Sequence, residues 1–184
     1  MQLKKIFKHS YTIGYISIIG FILLDQITKQ IAYMNQNNLL INKVFIKYLL
    51  EFSYTENRAA SLGLLGDHPQ KDLIFMLITV LALVMFGYFF KDIDFKTKKT
   101  YSISIVFFFA GTLGNAIDRL FRGFVVDFLH FPFFDFLSKI GLSNFDNNIA
   151  DILLTFAIIL FAIDMFFFDP KRTKELKKDE NNQN

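Results

Sequence analysis

Asp127 and Asp151 are the two residues in this chain whose surroundings best suit them to chemistry. The first lies in FVVDFL, apolar on both sides, and the second in NNIADILLTFAIIL, at the start of an apolar run. Apolar surroundings disfavour a carboxylate's charge and a helix N-terminus favours it, so the two environments differ. If the two groups meet, they can share one proton. Such a pair suits an aspartic hydrolase: one carboxylate draws a proton from water, while its protonated partner polarises the scissile carbonyl and serves the leaving amine. The two are 24 positions apart with no regular element between them, so spacing alone leaves their proximity open.

Other polar residues sit where an apolar chain should avoid them. Asp25 and Lys29 are four apart and share a helix face, where they can form a structural ion pair with Lys29 snorkelling to the interface. Asn115 and Asp118 also share a face, with Arg119 adjacent, and Gly111 and Gly114 before them let a neighbouring helix approach closely. That segment is either a polar helix end turned toward protein or a simple interfacial anchor.

Rival chemistries have less behind them. The three histidines, His9, His68 and His130, form no HExxH, although Asp127 with His130 leaves a carboxylate–histidine metal site formally open. No GxSxG elbow occurs, and neither Ser53 nor Ser61 has a lysine at a telling spacing. The absence of cysteine excludes disulfides, thiolate metal sites and a cysteine nucleophile.

The elements that must position these groups are set by a bilayer. Of 184 residues 53% are hydrophobic, and mean hydropathy is +0.35, above what a soluble domain of this length carries. Four stretches can cross the ~30 Å of hydrocarbon as helices: Tyr11–Ala32, Asp72–Phe90, Tyr101–Leu120 and Asp151–Phe168. Of the 20 basic residues, 12 fall in Met1–Ser10, Lys91–Thr100 and Lys171–Asn184, all on one side of such a four-span chain. Clusters placed in that way mark cytoplasmic flanks and not a nucleic-acid surface, so both termini are expected in the cytoplasm. The connections Tyr33–Lys71 and Phe121–Ala150 then face outward. No small-x-small cleavage site follows the first span, which reads as a retained anchor. Residues Asn38–Tyr54 are rich in β-branched and aromatic side chains and predict a small interfacial hairpin or sheet. The tail KRTKELKKDENNQN has no apolar pattern and predicts disorder. The expected fold is thus an all-α integral membrane protein of four transmembrane helices with a small extracytoplasmic β-rich platform. Residues 1–170 form the membrane domain and 171–184 its charged tail.

Taken in order, four segments resemble the lipoprotein signal peptidases, or signal peptidase II, the membrane aspartic peptidases of bacteria. They are DQITK (Asp25–Lys29), NRAASLG (Asn57–Gly63), GNAIDRLFRGFVVDF (Gly114–Phe128) and NIAD (Asn148–Asp151). The resemblance covers roughly Ile22 to Phe161. It implies a catalytic dyad of Asp127 and Asp151. It further implies that Asp25, Lys29, Asn57, Asn115, Asp118, Arg119 and Asn148 support the site or hold substrate. The sequence departs from the family pattern at Ala59, where glycine is usual, at Ser61 and Leu62, and at Asn147, where phenylalanine is usual. The loop between the two aspartates is also longer than usual.

The resemblance implies an endopeptidase of the bacterial cytoplasmic membrane acting on diacylglyceryl-modified prolipoproteins, cutting before the lipidated cysteine. It implies a monomer in contact with membrane lipid, with no nucleic-acid partner, no cofactor and no metal. The alternative from the residues themselves is a small transporter or channel subunit with Asp25, Asp118 and Asp151 as an ion path. That path would spread acids through the membrane depth, whereas these cluster at outer span ends. Asp164 is the exception, expected near the cytoplasmic interface as a snorkelling or interfacial carboxylate. A scaffold binding helices through the glycine-lined third span is a third reading, and it leaves Asp127 and Asn148 unexplained.

Overall fold

The computed structural model describes residues 2–39, 43–58, 70–140 and 146–183. The chain begins with α1 (Gln2–Met34), the single turn α2 (Gln36–Leu39), and strands β1 (Lys43–Ile46) and β2 (Leu50–Asn57). Then come α3 (Lys71–Phe90), α4 (Lys99–Arg122), β3 (Val125–His130), a 3-10 helix (Pro132–Ile140) and β4 (Asp146–Asn147). The chain closes with α5 (Ile149–Ile163), a π-helical turn (Asp164–Phe168) and α6 (Asp169–Gln183).

Among the described residues four helices are long and apolar enough to cross a membrane: His9–Met34, Leu73–Phe90, Lys99–Arg122 and Ile149–Glu175. Each overlaps an expected span. Their outward faces carry Ile16, Ile19, Leu23 and Ile27 on α1 and Leu77, Ile78, Leu81 and Val84 on α3, all exposed. Apolar patches of that extent are unsuited to water but match hydrocarbon.

Helix α4 is the hub, packed against α1, α3 and α5. Its glycines permit the approach the sequence pointed to. A Cβ on Gly111 would lie 2.6 Å from the Ala150 carbonyl oxygen, and one on Gly114 would lie 2.6 Å from Asp25 Oδ2. In one half of the bundle, Ile18, Phe86, Phe90, Ile93, Ile105 and Val106 close the core.

At the other end α4 stops at Gly123, whose φ of 75° lets its N–H reach the Arg119 carbonyl and turns the chain into β3. The four strands form one antiparallel sheet in the order β1-β2-β3-β4. The expected hairpin is β1 and β2, and β3 extends it into the small platform. All six residues of β3 are buried, because it runs inside the sheet with the ends of α1 and α5 beneath it. Ala32, Phe124, Val126, Phe128 and Leu129 form that second core, with Ile149 and Ile152 against it.

The end of the bundle remote from the sheet corrects one expectation. Asp164 does not snorkel: it is 2% exposed, and Arg172 grips both its oxygens, Nη1 at 3.0 Å and Nη2 at 2.6 Å. Past the π-helical turn the chain continues as helix α6, Asp169–Gln183. Pro170 follows directly on the π-helical turn, and the lysines, glutamates and arginine beyond it are good helix formers.

Candidate active site

The interior strand β3 carries Asp127 at the centre of the sheet, opposite Thr55 of β2, with 1% of its surface exposed. Its carboxylate is held by two amides. Asn148 Nδ2 donates to Oδ1 at 2.7 Å, and Asn57 Nδ2 donates to Oδ2 at 2.9 Å. Asn148 is also the N-cap of α5 and forms a reciprocal capping box with Asp151. Its Oδ1 accepts the Asp151 N–H at 3.0 Å, and its own N–H donates to Asp151 Oδ2 at 3.1 Å. One asparagine therefore touches both carboxylates that the sequence left 24 positions apart.

A layer of paired groups supports this arrangement from the helices. Asn115 Nδ2 donates to Asp151 Oδ1 at 2.8 Å, and Asn115 Oδ1 accepts from Lys29 Nζ at 2.9 Å. Lys29, fully buried, also contacts Asp25 Oδ2 at 2.9 Å and Asp118 Oδ2 at 3.3 Å. The Asp25–Lys29 pair forms as expected, but the lysine points into protein and does not snorkel. Both acids also bind backbone. Asp25 Oδ1 accepts the Ala150 N–H at 2.9 Å, satisfying a donor at the start of α5, and Asp118 Oδ2 accepts the Val126 N–H at 3.1 Å, tying β3 to α4. The polar segment of α4 thus faces protein; it is more than an interfacial anchor.

Arg119 stacks its guanidinium over Phe75 of α3 at 4.9 Å, whereas Arg122 pairs with Asp118 Oδ1 and donates to Gln30 Oε1 at 2.8 Å. Sequence reasoning missed Arg122, although its position four residues after Asp118 was a usable signal. It also missed Gln26, whose Nε2 donates to the Gly114 carbonyl at 3.0 Å and so binds α1 to α4 where the glycine brings them close.

Burial, and then the neighbouring Asp151 charge, push the Asp127 carboxyl up to about 8, against the opposing pull of the Asn57 and Asn148 amides and Lys29. Asp127 thus holds a proton well above the ordinary carboxylate range. No cluster suited to a metal occurs among the described residues. His130, three positions along the strand from Asp127, contacts Asp146 and Asp135 instead.

Residues 17–167 match the family model of Signal peptidase (SPase) II. The chain belongs to this family. It is 35% identical over 148 residues to the lipoprotein signal peptidase of Clostridium tetani strain Massachusetts / E88, covering 80% of this chain and 88% of that one. It is 34% identical over 160 residues to that of Staphylococcus aureus strain JH9, covering 85% and 90%. Among solved structures, a bacterial membrane enzyme determined by the in meso method at 2.3 Å superposes with a TM-score of 0.68 at 29% identity, covering 94% of this chain and 92% of that one. A second, determined by the same method at 1.9 Å, gives 0.69, also at 29% identity, covering 85% and 94%.

Signal peptidase II is an aspartic peptidase, so the enzyme reading holds and the transporter reading does not. Of the departures from the family pattern, Ala59, Ser61 and Leu62 lie outside the described residues, and Asn147 stands in β4 opposite Leu129.

Proposed function

We propose that Asp127 and Asp151 are the catalytic dyad of this signal peptidase II. Its substrates are diacylglyceryl-modified prolipoproteins, cut on the N-terminal side of the lipidated cysteine. The observation that carries the dyad is Asn148, hydrogen-bonded to both carboxylates at once.

The charge states divide the work. Protonated Asp127 donates a hydrogen bond to the scissile carbonyl, and ionised Asp151 takes a proton from water as the hydroxide adds to the carbonyl carbon. Asp127 gives its proton to the carbonyl oxygen as the tetrahedral diol forms. On collapse the diol returns a proton to Asp127, the C–N bond breaks, and the amine leaves with the proton Asp151 had taken. Both carboxyls end as they began, with no covalent enzyme intermediate. Asn57, Asn115 and Asn148 hold the reacting oxygens in place, while Asp25, Lys29 and Asp118 fix the helix and strand ends that carry them. Arg119 and Asn57 are assigned to substrate carbonyl or head-group oxygens.

The three basic clusters support an orientation with both termini in the cytoplasm and the sheet at the outer surface of the cytoplasmic membrane. A lipidated substrate then lies in the bilayer with its scissile bond at the depth of the dyad. Residues 1–170 form the membrane peptidase domain, acting as a monomer surrounded by lipid.

The test is cleavage of a diacylglyceryl-modified prolipoprotein by the purified protein in lipid, beside Asp127→Asn and Asp151→Asn. Activity in the parent and none in either folded variant is expected. Turnover surviving in either variant would sink the dyad, and a folded parent that leaves this substrate uncut would sink the substrate assignment.

A further inference from the structure

Strand β4 is only two residues long, Asp146 and Asn147, and so short a strand has little backbone pairing with which to hold its register. Yet it delivers Asn148, the next residue, to both carboxylates. What fixes β4 is a side chain. The Asp146 carboxylate, 9% exposed, accepts from Thr55 Oγ1 through Oδ2, while its Oδ1 meets His130 Nδ1 at 2.8 Å and Ser53 Oγ at 3.4 Å. His130 lies directly opposite on β3, and Ser53 and Thr55 lie one strand further, on β2. One carboxylate therefore clasps β4 to two strands. The other ring nitrogen of His130, Nε2, reaches Asp135 Oδ1 in the 3-10 helix at 3.2 Å, so both ends of the long β3–β4 connection meet at the same imidazole.

We propose that Asp146, clasped by His130, Ser53 and Thr55, is a positioning residue that holds Asn148 against the two carboxylates of the dyad. The inference rests on the dyad assignment given above. The clasp touches neither carboxylate and acts through the backbone of β4. A competing account is that α5 positions Asn148 unaided, since Asp25 already anchors the Ala150 N–H.

The two accounts differ in the pH profile. The groups facing Asp127 are Asp151 from α5, Lys29 from α1, and the amides of Asn57 and Asn148. An amide donated to a carboxylate favours its charged form, so withdrawing Asn148 makes Asp127 hold its proton to higher pH. A clasp that merely stabilises the sheet lowers the folded fraction and leaves that limb in place.

The experiment measures kcat, KM and the pH–rate profile of the full chain in lipid for Asp146→Ala, Asp146→Asn and Thr55→Val, with the parent and Asp127→Asn as controls. An active parent and an inactive Asp127→Asn establish the dyad independently of the clasp. The expected result for Asp146→Ala is a kcat lowered about 10- to 100-fold with KM near the parent's, and an alkaline limb moved to higher pH. Asp146→Asn, which keeps an acceptor for Thr55, recovers part of both effects, and Thr55→Val reproduces them weakly. Parental kcat and limb in Asp146→Ala would overturn the proposal. If that variant fails to fold, Asp146→Asn and Thr55→Val decide: a shifted limb in either sustains the clasp, and parental profiles in both overturn it.

Discussion

Both ends of the bundle bury aspartate, and they do so in opposite ways. At the end away from the sheet, Asp164 is matched by Arg172, which also reaches Asp169 at 3.2 Å. At the sheet end Asp25, Asp118, Asp127 and Asp151 lie together, with Lys29 between Asp25 and Asp118 and Arg122 on Asp118. A matched pair neutralises itself and asks nothing more of the fold. Carboxylates in excess of cations are strongly unfavourable unless a proton is shared, and a shared proton is what acid–base chemistry uses. Burial does not distinguish the two ends; the charge balance does.

The comparison breaks first at the dyad. Asp127→Asn or Asp151→Asn should lower turnover by ~10²–10⁴-fold or more with the fold retained, while Asp164→Asn leaves turnover at the parental level. Loss of activity in a folded Asp164→Asn would show that the matched pair is not merely structural. Next is Lys29→Met, which strips the common cation from Asp25 and Asp118. It should destabilise the protein by ~3–5 kcal/mol in thermal or denaturant unfolding, and parental stability would overturn the role of Lys29 as their common counter-ion. Gly114→Ala forces a methyl into Asp25 and should cost about 1–3 kcal/mol, whereas Gly87→Ala, with open space at its Cβ, should be tolerated.

Asp127 adds a pH dependence with a definite sign. Its proton is held more firmly folded than unfolded, so its contribution to stability is full below the ordinary carboxyl range and is lost as pH rises toward about 8. Asp127→Asn should therefore gain on the parent in unfolding temperature across that window and level off above it; a constant difference would refute the raised value. Turnover should likewise fall above about 8, as the proton Asp127 must donate is lost. The smallest effect belongs to the matched pair. Replacing both partners, Asp164→Asn with Arg172→Gln, should change stability by about 1 kcal/mol or less, since neither group is left charged and alone.

Much of this site could be read without coordinates, because its residues announce themselves by being polar in apolar surroundings. Asp25 with Lys29, and Asn115 with Asp118, follow helical spacing, and Gly111 and Gly114 mark the close approach that the structure contains. Asp127 and Asp151 stood out as a candidate pair by their surroundings, but their proximity was not legible, since it depends on a strand, a long connection and a cap, none of which has a period. Strand β3 was missed because its apolar run VVDFLH lacks the alternation of a half-exposed strand, as expected for one buried on both faces. The clasp at Asp146 was invisible for a related reason: its partners come from three strands, and no local pattern links residues 53, 55, 130 and 146.

The π-helical turn at Asp164–Phe168 carries one more consequence, for the phase of the fourth span. Its i to i+5 bond runs from the Asp169 N–H to the Asp164 carbonyl. In an unbroken α-helix residues 164 and 172 would stand about 80° apart around the axis. One extra residue wound into the turn removes a step of about 100°, returning Arg172 to within about 20° of the Asp164 side. The turn works as a vernier between two rulers. Up to it, the helix keeps the register that sets Asp151 against Asn148 and leaves apolar residues on the outer face. Beyond it, the same rod is re-indexed so that its first arginine closes on the buried acid, and the charged segment can be set without rotating the half that holds the active site.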